Sequence, residues 1–252
     1  MRTAALASAF LLLAACPRRP VDFGKGGEPT SDADLLARLR AAELSVVSVK
    51  GEAKLKAETS RGSGTAGLFV AVKEPAFIHL QALDFFGRPL AQLVSDGSVF
   101  GLYDAQAGKY FKGPASAANL RRVLPVVIPP ADLASLFLGR VPRVDGEPKV
   151  TFDAEKGRWR LEYARQTVEV EPPSYRAVSS HAAYDVELAG IEERGGVSFP
   201  SDATLSAGGS RMELHWKDVE LNVTPEADLF EMTPPENVPV VEVDAQGYEV
   251  SH

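Results

Sequence analysis

Residues 47–58 read VSVKGEAKLKAE. Val47, Val49, Gly51, Ala53, Leu55 and Ala57 are small or apolar, and the residues between them, Ser48, Lys50, Glu52, Lys54, Lys56 and Glu58, are polar. Successive side chains of a strand point to opposite faces, so this spacing gives one dry face and one wet face. The same spacing wound into a helix would scatter the apolar residues around the axis. A long, half-buried strand of an antiparallel sheet is therefore expected.

The same period continues downstream. Leu68, Val70 and Val72 share a face, Glu74-Pro75 interrupts, and Ile78, Leu80 and Ala82 alternate again. Asp84-Phe85-Phe86-Gly87 then breaks the pattern before strands at 90–94 and 99–103, separated by Asp96-Gly97. An Asp-Gly pair between alternating runs marks a hairpin. A further turn at Ala107-Gly108 leads to Tyr110-Phe111. Short turns between neighbouring strands predict an antiparallel meander.

Two helices interrupt, at 116–124 with Ser116 as cap and at 130–138 with Pro130 in the first turn and Gly139 as the stop. Strands resume at 149–153, 158–163, 166–170, 177–188, 196–206 and 211–223. Trp159 and Leu161 share one face, as do Met212, Leu214 and Trp216. Upstream of the opening strand, Ser31 or Asp32 caps a helix whose Leu35, Leu36 and Leu39 fall at helical spacing, with Arg38 and Arg40 facing water. The expected fold is α+β, with about eleven antiparallel strands and three short helices. A one-sided apolar sheet of that size must be covered or closed on itself.

The chain of 252 residues is 45% hydrophobic, enough for a core, and its net charge of −7 argues against a nucleic-acid surface. None of the four histidines, His79, His181, His215 and His252, sits at metal spacing with Cys, His or carboxylate. His79 and His215 are assigned to the wet faces of strands. Gly62-Ser63-Gly64 lies in a turn between strands and lacks the strand-to-helix setting of a nucleophile elbow or phosphate loop. Glu192-Glu193 reads as a solvated turn. No cofactor, metal site or catalytic constellation is expected, which points to a binding protein rather than an enzyme.

The N-terminus carries an independent message. Met1-Arg2 is followed by an uncharged apolar run from Ala4 to Ala15. That run is short of the roughly 20 residues needed to span a bilayer, and it has the form of an export signal. Leu13-Ala14-Ala15-Cys16 resembles the lipobox of bacterial lipoproteins. The resemblance implies cleavage before Cys16, the only cysteine, and lipid attachment to it. Residues 17–30, PRRPVDFGKGGEPT, have the composition of a flexible tether. Pro17, where enteric inner-membrane lipoproteins carry Asp, favours the outer membrane by the same resemblance. The expected organisation is a signal peptide at 1–15, lipidated Cys16 and tether at 16–30, one domain at 31–235, and an acidic, mobile tail at 236–252.

From Val46 to Pro142 the order of features resembles the lipoprotein carrier superfamily of LolA, LolB and the LppX-type lipid carriers. The features are Glu74-Pro75-Ala76-Phe77-Ile78, then Asp84-Phe85-Phe86-Gly87, then Asn119-Leu120, Pro125, Ile128-Pro129 and Leu136-Phe137-Leu138-Gly139-Arg140-Val141-Pro142. The ending Asp228-Leu229-Phe230-Glu231-Met232-Thr233-Pro234-Pro235 resembles that superfamily's close. The resemblance implies an unclosed antiparallel barrel with helices as a lid over an apolar cavity for acyl chains. It implies a monomer on the periplasmic face of the outer membrane, receiving cargo from a periplasmic carrier of LolA type. Phe86, with Phe85 beside it, takes the position of the loop that enters the membrane. Val49, Leu55, Leu68, Val70, Ile78, Leu80, Trp159, Leu161, Met212, Leu214 and Trp216 become candidates to line the cavity. The alternative is an adaptor lipoprotein that uses the same fold, packed solid, for protein contacts.

Overall fold

The computed structural model describes residues 20–250; the lipidation site read at Cys16 lies outside them. The chain opens with α1 (Asp32–Leu44), whose first turn is capped by Ser31: its hydroxyl accepts from the Asp34 amide. It then runs out along β1 (Ser48–Thr59), β2 (Gly62–Lys73), β3 (Phe77–Leu83), β4 (Pro89–Ser95), β5 (Val99–Asp104) and β6 (Lys109–Pro114). A link carrying α2 (Ala117–Leu120) and α3 (Pro130–Phe137) crosses to the far edge. The return path is β7 (Lys149–Asp153), β8 (Arg158–Tyr163), β9 (Gln166–Glu171), β10 (Arg176–His181), β11 (Asp185–Arg194), β12 (Val197–Ala207) and β13 (Ser210–Leu221). A short 3-10 helix (Ala227–Phe230) precedes β14 (Val240–Glu242).

All strands belong to one sheet of order β14-β6-β5-β4-β3-β2-β1-β13-β12-β11-β10-β9-β8-β7. The outgoing wing (β1–β6) and the returning wing (β7–β13) are therefore joined where β13 pairs with β1, and the sheet stays open at β14 and β7. Every pairing is antiparallel except β14 on β6. The antiparallel connections place the turns β1–β2, β3–β4, β5–β6, β8–β9, β10–β11 and β12–β13 on one rim, the upper. The others, including β7–β8 and β9–β10, lie on the lower rim.

The opening strand behaves as its alternation predicts: Val49 and Ala53 are buried, while Lys54 pairs with outward His215. One irregularity lets the wings meet closely. The β1–β13 register shifts between Glu52 and Ala53, and a Cβ on Gly51 would stand 2.2 Å from the Asp218 carbonyl oxygen. The bulge turns both Trp216 and Val219 inward.

Three expectations change. Among the described residues there are fourteen strands rather than about eleven: the twelve alternating runs of the sequence all form strands, 177–188 breaks at 182–184 into β10 and β11, and the tail contributes β14. The helix expected over 116–124 keeps its Ser116 cap but is regular only for Ala117–Leu120. Glu192 and Glu193 lie within β11, not in a turn.

The core is a single apolar cluster between the inner face of the sheet, α1 and the link. Leu35 and Leu39 of α1 are fully buried, and the helix packs against β10. α3 buries Leu133, Leu136 and Phe137. It ends at Gly139 (φ +70°), where a Cβ would come within 2.8 Å of Phe199 and Pro200 on β12. Only glycine lets the helix close on the strand in that conformation.

The first and last described segments are laid on the sheet. Phe23 stacks on Phe152 at 5.7 Å, and the Tyr175 hydroxyl contacts the carbonyls of Phe23 and Gly27 at 3.0 and 3.1 Å. Arg38, expected to face water, donates to the Gly26 and Gly27 carbonyls and pairs with Asp34 at 2.9 Å. At the other end, the Asn119 side chain donates to the Asp244 carbonyl at 2.8 Å, and Arg122 donates to that of Gly247 at 2.6 Å. The described part of the tail thus carries a three-residue edge strand and side-chain anchors rather than running free. Among the described residues no helix is long and apolar enough to cross a membrane.

Candidate functional site

The β3–β4 turn projects two aromatic rings from the upper rim. Phe85 is 96% exposed and Phe86 78%, with ring centroids 5.5 Å apart, edge to face. The turn is held from within. Asp84 Oδ1 accepts from the amides of Phe86 (2.8 Å) and Arg88 (2.9 Å), and Oδ2 accepts from the Arg88 guanidinium at 2.7 Å. Hydrogen bonds from the backbone and side chain of Arg88 hold the Asp84 carboxyl below its usual pKa, so it stays ionised. Arg88 also lies over the Phe86 ring at 5.4 Å. Two large apolar side chains exposed together at a braced turn need an external partner to account for them.

Directly beneath that turn is an apolar cavity of about 230 Å³. Leu55, Leu68, Leu80, Ala82 and Ala91 of the sheet and Leu124 and Phe137 of the link contribute to its walls. A much smaller void of about 20 Å³ lies beyond it, between α3 and β12–β13, and shares Leu55, Phe137 and Met212 with the first. Phe137 therefore stands as a partition, packed edge-on against Trp216 at 6.3 Å.

Of the eleven cavity candidates, Leu55, Leu68, Leu80, Met212 and Leu214 border these voids. Val49, Val70, Ile78, Leu161 and Trp216 are packed core. Trp159 lies at the far edge, stacked on Phe152 at 4.7 Å. Alternation identified the inner face but could not tell which inner side chains meet other side chains and which meet a void.

The lid over these voids is fastened at both ends. At its N-terminal end the Tyr184 hydroxyl donates to Asp132 at 2.6 Å; burial and that carboxylate push the phenol pKa up, so it remains a donor. At its C-terminal end Arg176 is 1% exposed and donates to the Gly139 carbonyl (3.1 Å) and the Ser45 hydroxyl (3.0 Å). Burial pushes its pKa down to about 10, which still leaves it charged at neutral pH. Arg140 pairs with Glu74 at 2.6 Å, and Arg143 pairs with Glu43, a buried carboxyl whose pKa is raised by desolvation.

His79 departs from expectation. It is on the outer face of β3, but that face is covered: its Nδ1 lies 2.5 Å from the Leu229 carbonyl of the 3-10 helix, whose Phe230 packs on Phe77. His215 is exposed and pairs with Asp202 at 2.7 Å. Among the described residues no group of three His, Cys, Asp or Glu is placed to hold a metal ion.

No protein-family model matches the sequence, and no curated protein matches it. Solved structures do match in three dimensions. A LolA superfamily protein from Nitrosomonas europaea superposes with a TM-score of 0.51 at 10% identity, covering 78% of this chain and 97% of that one. An outer membrane lipoprotein-sorting domain from Vibrio parahaemolyticus superposes with a TM-score of 0.53 at 11% identity, covering 78% of this chain and 94% of that one. The fold is thus LolA-like, an unclosed and almost wholly antiparallel sheet with a helical cover.

Proposed function

We propose that the protein is a non-enzymatic lipoprotein, anchored through Cys16 in the outer membrane and facing the periplasm, that takes up acyl chains of lipids or lipoproteins beneath its lid. The observation that carries this reading is the coincidence of an exposed Phe85–Phe86 pair with an apolar cavity at the foot of the same hairpin. A Phe buried in hydrocarbon gains roughly 1.5–3 kcal/mol, so two support reversible contact with a bilayer or with a cargo's acyl chains. Binding sites for small ligands occupy about 300–1,000 Å³, more than the 230 Å³ present. The two voids joined would still fall short of that range, so uptake requires α3 to lift and withdraw Phe137. Each buried methylene then contributes about 0.8 kcal/mol.

The Asp132–Tyr184 hydrogen bond is the fastening that such a movement breaks. Full-length chain carrying Cys16→Ser, analysed by native mass spectrometry after extraction from cells, is expected to retain an acyl-chain ligand. Tyr184→Phe is expected to raise its occupancy. Ligand-free protein in both forms overturns the reading. A second reading, an adaptor that contacts protein partners, is favoured by the dense packing around Val70, Ile78 and Trp216. It predicts no bound lipid and one fixed partner captured from envelope extracts.

A further inference from the structure

A groove of about 810 Å³ runs between the α2–α3 link and the upper rim of the returning wing. It shares no lining residue with the cavity under the lid. Val126, Val127, Pro142 and Val144 form its link side, and Ala182 and Ala183 of the β10–β11 turn face them. Val127 is 51% and Val144 40% exposed, a concentration of bare apolar surface inside a concavity.

The charges of the groove divide into two kinds. Asp132 is engaged by the Tyr184 hydroxyl, and Arg143 by Glu43. Arg121, on the link, and Arg165, on the β8–β9 turn, also line the groove. Both are exposed, and neither has an ion-pair partner among the described residues. In a chain of net charge −7, the uncommitted charge at this one apolar site is positive.

From this pairing of apolar wall and free guanidinium groups we infer that the groove binds a single acyl chain bearing an anionic head, a carboxylate or a phosphate. Arg121 and Arg165 take the head, by the forked hydrogen bonding that guanidinium offers to both groups. The valine side takes the chain. The volume falls within the range of about 300–1,000 Å³ typical of small-ligand sites. The inference uses no residue of the lid cavity; the Asp132–Tyr184 fastening of the lid also lines this groove, and the Ala91→Trp arm of the test separates the failure of this site from that of the carrier reading.

The test is displacement of a dansyl-labelled fatty acid from full-length Cys16→Ser protein by palmitate, by palmitoyl lysophosphatidylglycerol and by neutral monopalmitoylglycerol. At least one anionic competitor is expected to bind about tenfold or more tightly than the neutral one, the scale of one charge-assisted hydrogen bond. Whichever anion binds better assigns the head as carboxylate or phosphate. Arg121→Glu with Arg165→Glu removes the preference, and Arg121→Lys with Arg165→Lys retains most of it. Ala91→Trp, which fills the lid cavity, leaves it unchanged. Equal affinity for all three ligands, no displacement at all, or no effect of charge reversal overturns the inference. If Ala91→Trp alone abolishes binding, the ligand belongs under the lid, which sinks this site and leaves the carrier reading standing.

Discussion

The turn at Asp84–Arg88 and the turn at Pro172–Tyr175 both join adjacent antiparallel strands, and both present an aromatic side chain beside an arginine. Yet one is bare and the other is covered. Phe85 and Phe86 stand in solvent on the upper rim. Tyr175, on the lower rim, is buried: its hydroxyl meets the carbonyls of Phe23 and Gly27, and the Arg38 guanidinium lies 5.0 Å over its ring. The lower turn is covered because the N-terminal segment lies across it; no described segment crosses the upper one.

The difference has a geometric consequence for a chain anchored through Cys16. Val21 abuts Gly157, also at the lower rim. From Cys16 to Val21 the backbone reaches at most about 18 Å, whereas a strand of twelve residues such as β1 is roughly 40 Å long. If Cys16 carries the anchor, docking of the described segment would keep that anchor within this reach of the lower rim, a strand's length from the Phe tip, and the tip would then address something other than the anchoring bilayer. Undocking residues 21–27 would free about fifteen residues, roughly 50 Å of reach, and allow the domain to turn its tip toward its own membrane.

The sharpest way to break the comparison is to make the bare turn polar. Phe85→Glu with Phe86→Glu is expected to weaken binding to phospholipid vesicles by about a hundredfold or more, given roughly 1.5–3 kcal/mol per Phe. The melting temperature should not change, because neither ring contributes to the core. Vesicle flotation read alongside thermal melts checks both statements. Unchanged flotation would remove the tip from any membrane role.

On the covered side the largest effect is expected from Arg176, next to Tyr175. Arg176→Met fits the volume but leaves the Gly139 carbonyl and the Ser45 hydroxyl without their donor, and removes a cation near buried Glu43. The expected loss is about 3 kcal/mol of stability, the scale of breaking a buried charged network. Urea unfolding measures it. A loss below about 1 kcal/mol would mean that α1 and the lid end are held by packing alone.

Tyr175→Phe is milder and more specific. It removes one hydroxyl donor shared by two carbonyls, at an expected cost of about 1 kcal/mol. Its diagnostic is local: amide exchange at residues 21–27 should accelerate while β1 and β13 remain protected. Vesicle binding through the Phe tip should also rise in the lipidated protein, since undocking lets the tip swing toward the anchoring bilayer. Faster exchange without that gain would separate docking from tip access.

The two turns were not equally legible in the sequence. Strands announced themselves wherever apolar and polar residues alternated, as in 47–58 and 158–163, because burial of one face imposes a period of two. The Phe-Phe pair was visible as a break in that pattern, but exposure depends on whether anything covers it, and no local rule decides that. The docking of residues 21–27 was invisible for a related reason. Its composition is that of a tether, and the contacts that order it come from Tyr175, 148 to 152 residues away, from Phe152, and from Arg38, which helical spacing assigned to water. β14 escaped notice because three residues carry no usable period; its place is set by parallel pairing with β6, and Asn119 and Arg122 hold the turn that follows it. The lining of the cavity was half legible: Leu55, Leu80 and Met212 were assigned to the right face, but a void is a property of the packed whole.

His79 offers the smallest and most conditional test of how the bare turn is supported, since β3 leads straight into it. Its ring is buried under the 3-10 helix, and that burial lowers its pKa from 6.5, opposed by the hydrogen bond to Leu229. The unfolded chain then binds the proton more readily than the folded one. Stability from this site is therefore complete above the unfolded value of about 6.5 and is lost as pH falls from there toward the lowered folded value. Glu43, whose pKa is raised, acts with the opposite sign but in a window that begins at its unfolded value of 4.5. Between about pH 7.5 and about pH 6 the wild-type melting temperature should drop further than that of His79→Gln, which cannot take up the proton. The acid form should also show faster exchange in the Leu229 segment. Parallel slopes for the two proteins would mean that the 3-10 helix lifts away without cost, leaving β3 braced only by its neighbours in the sheet.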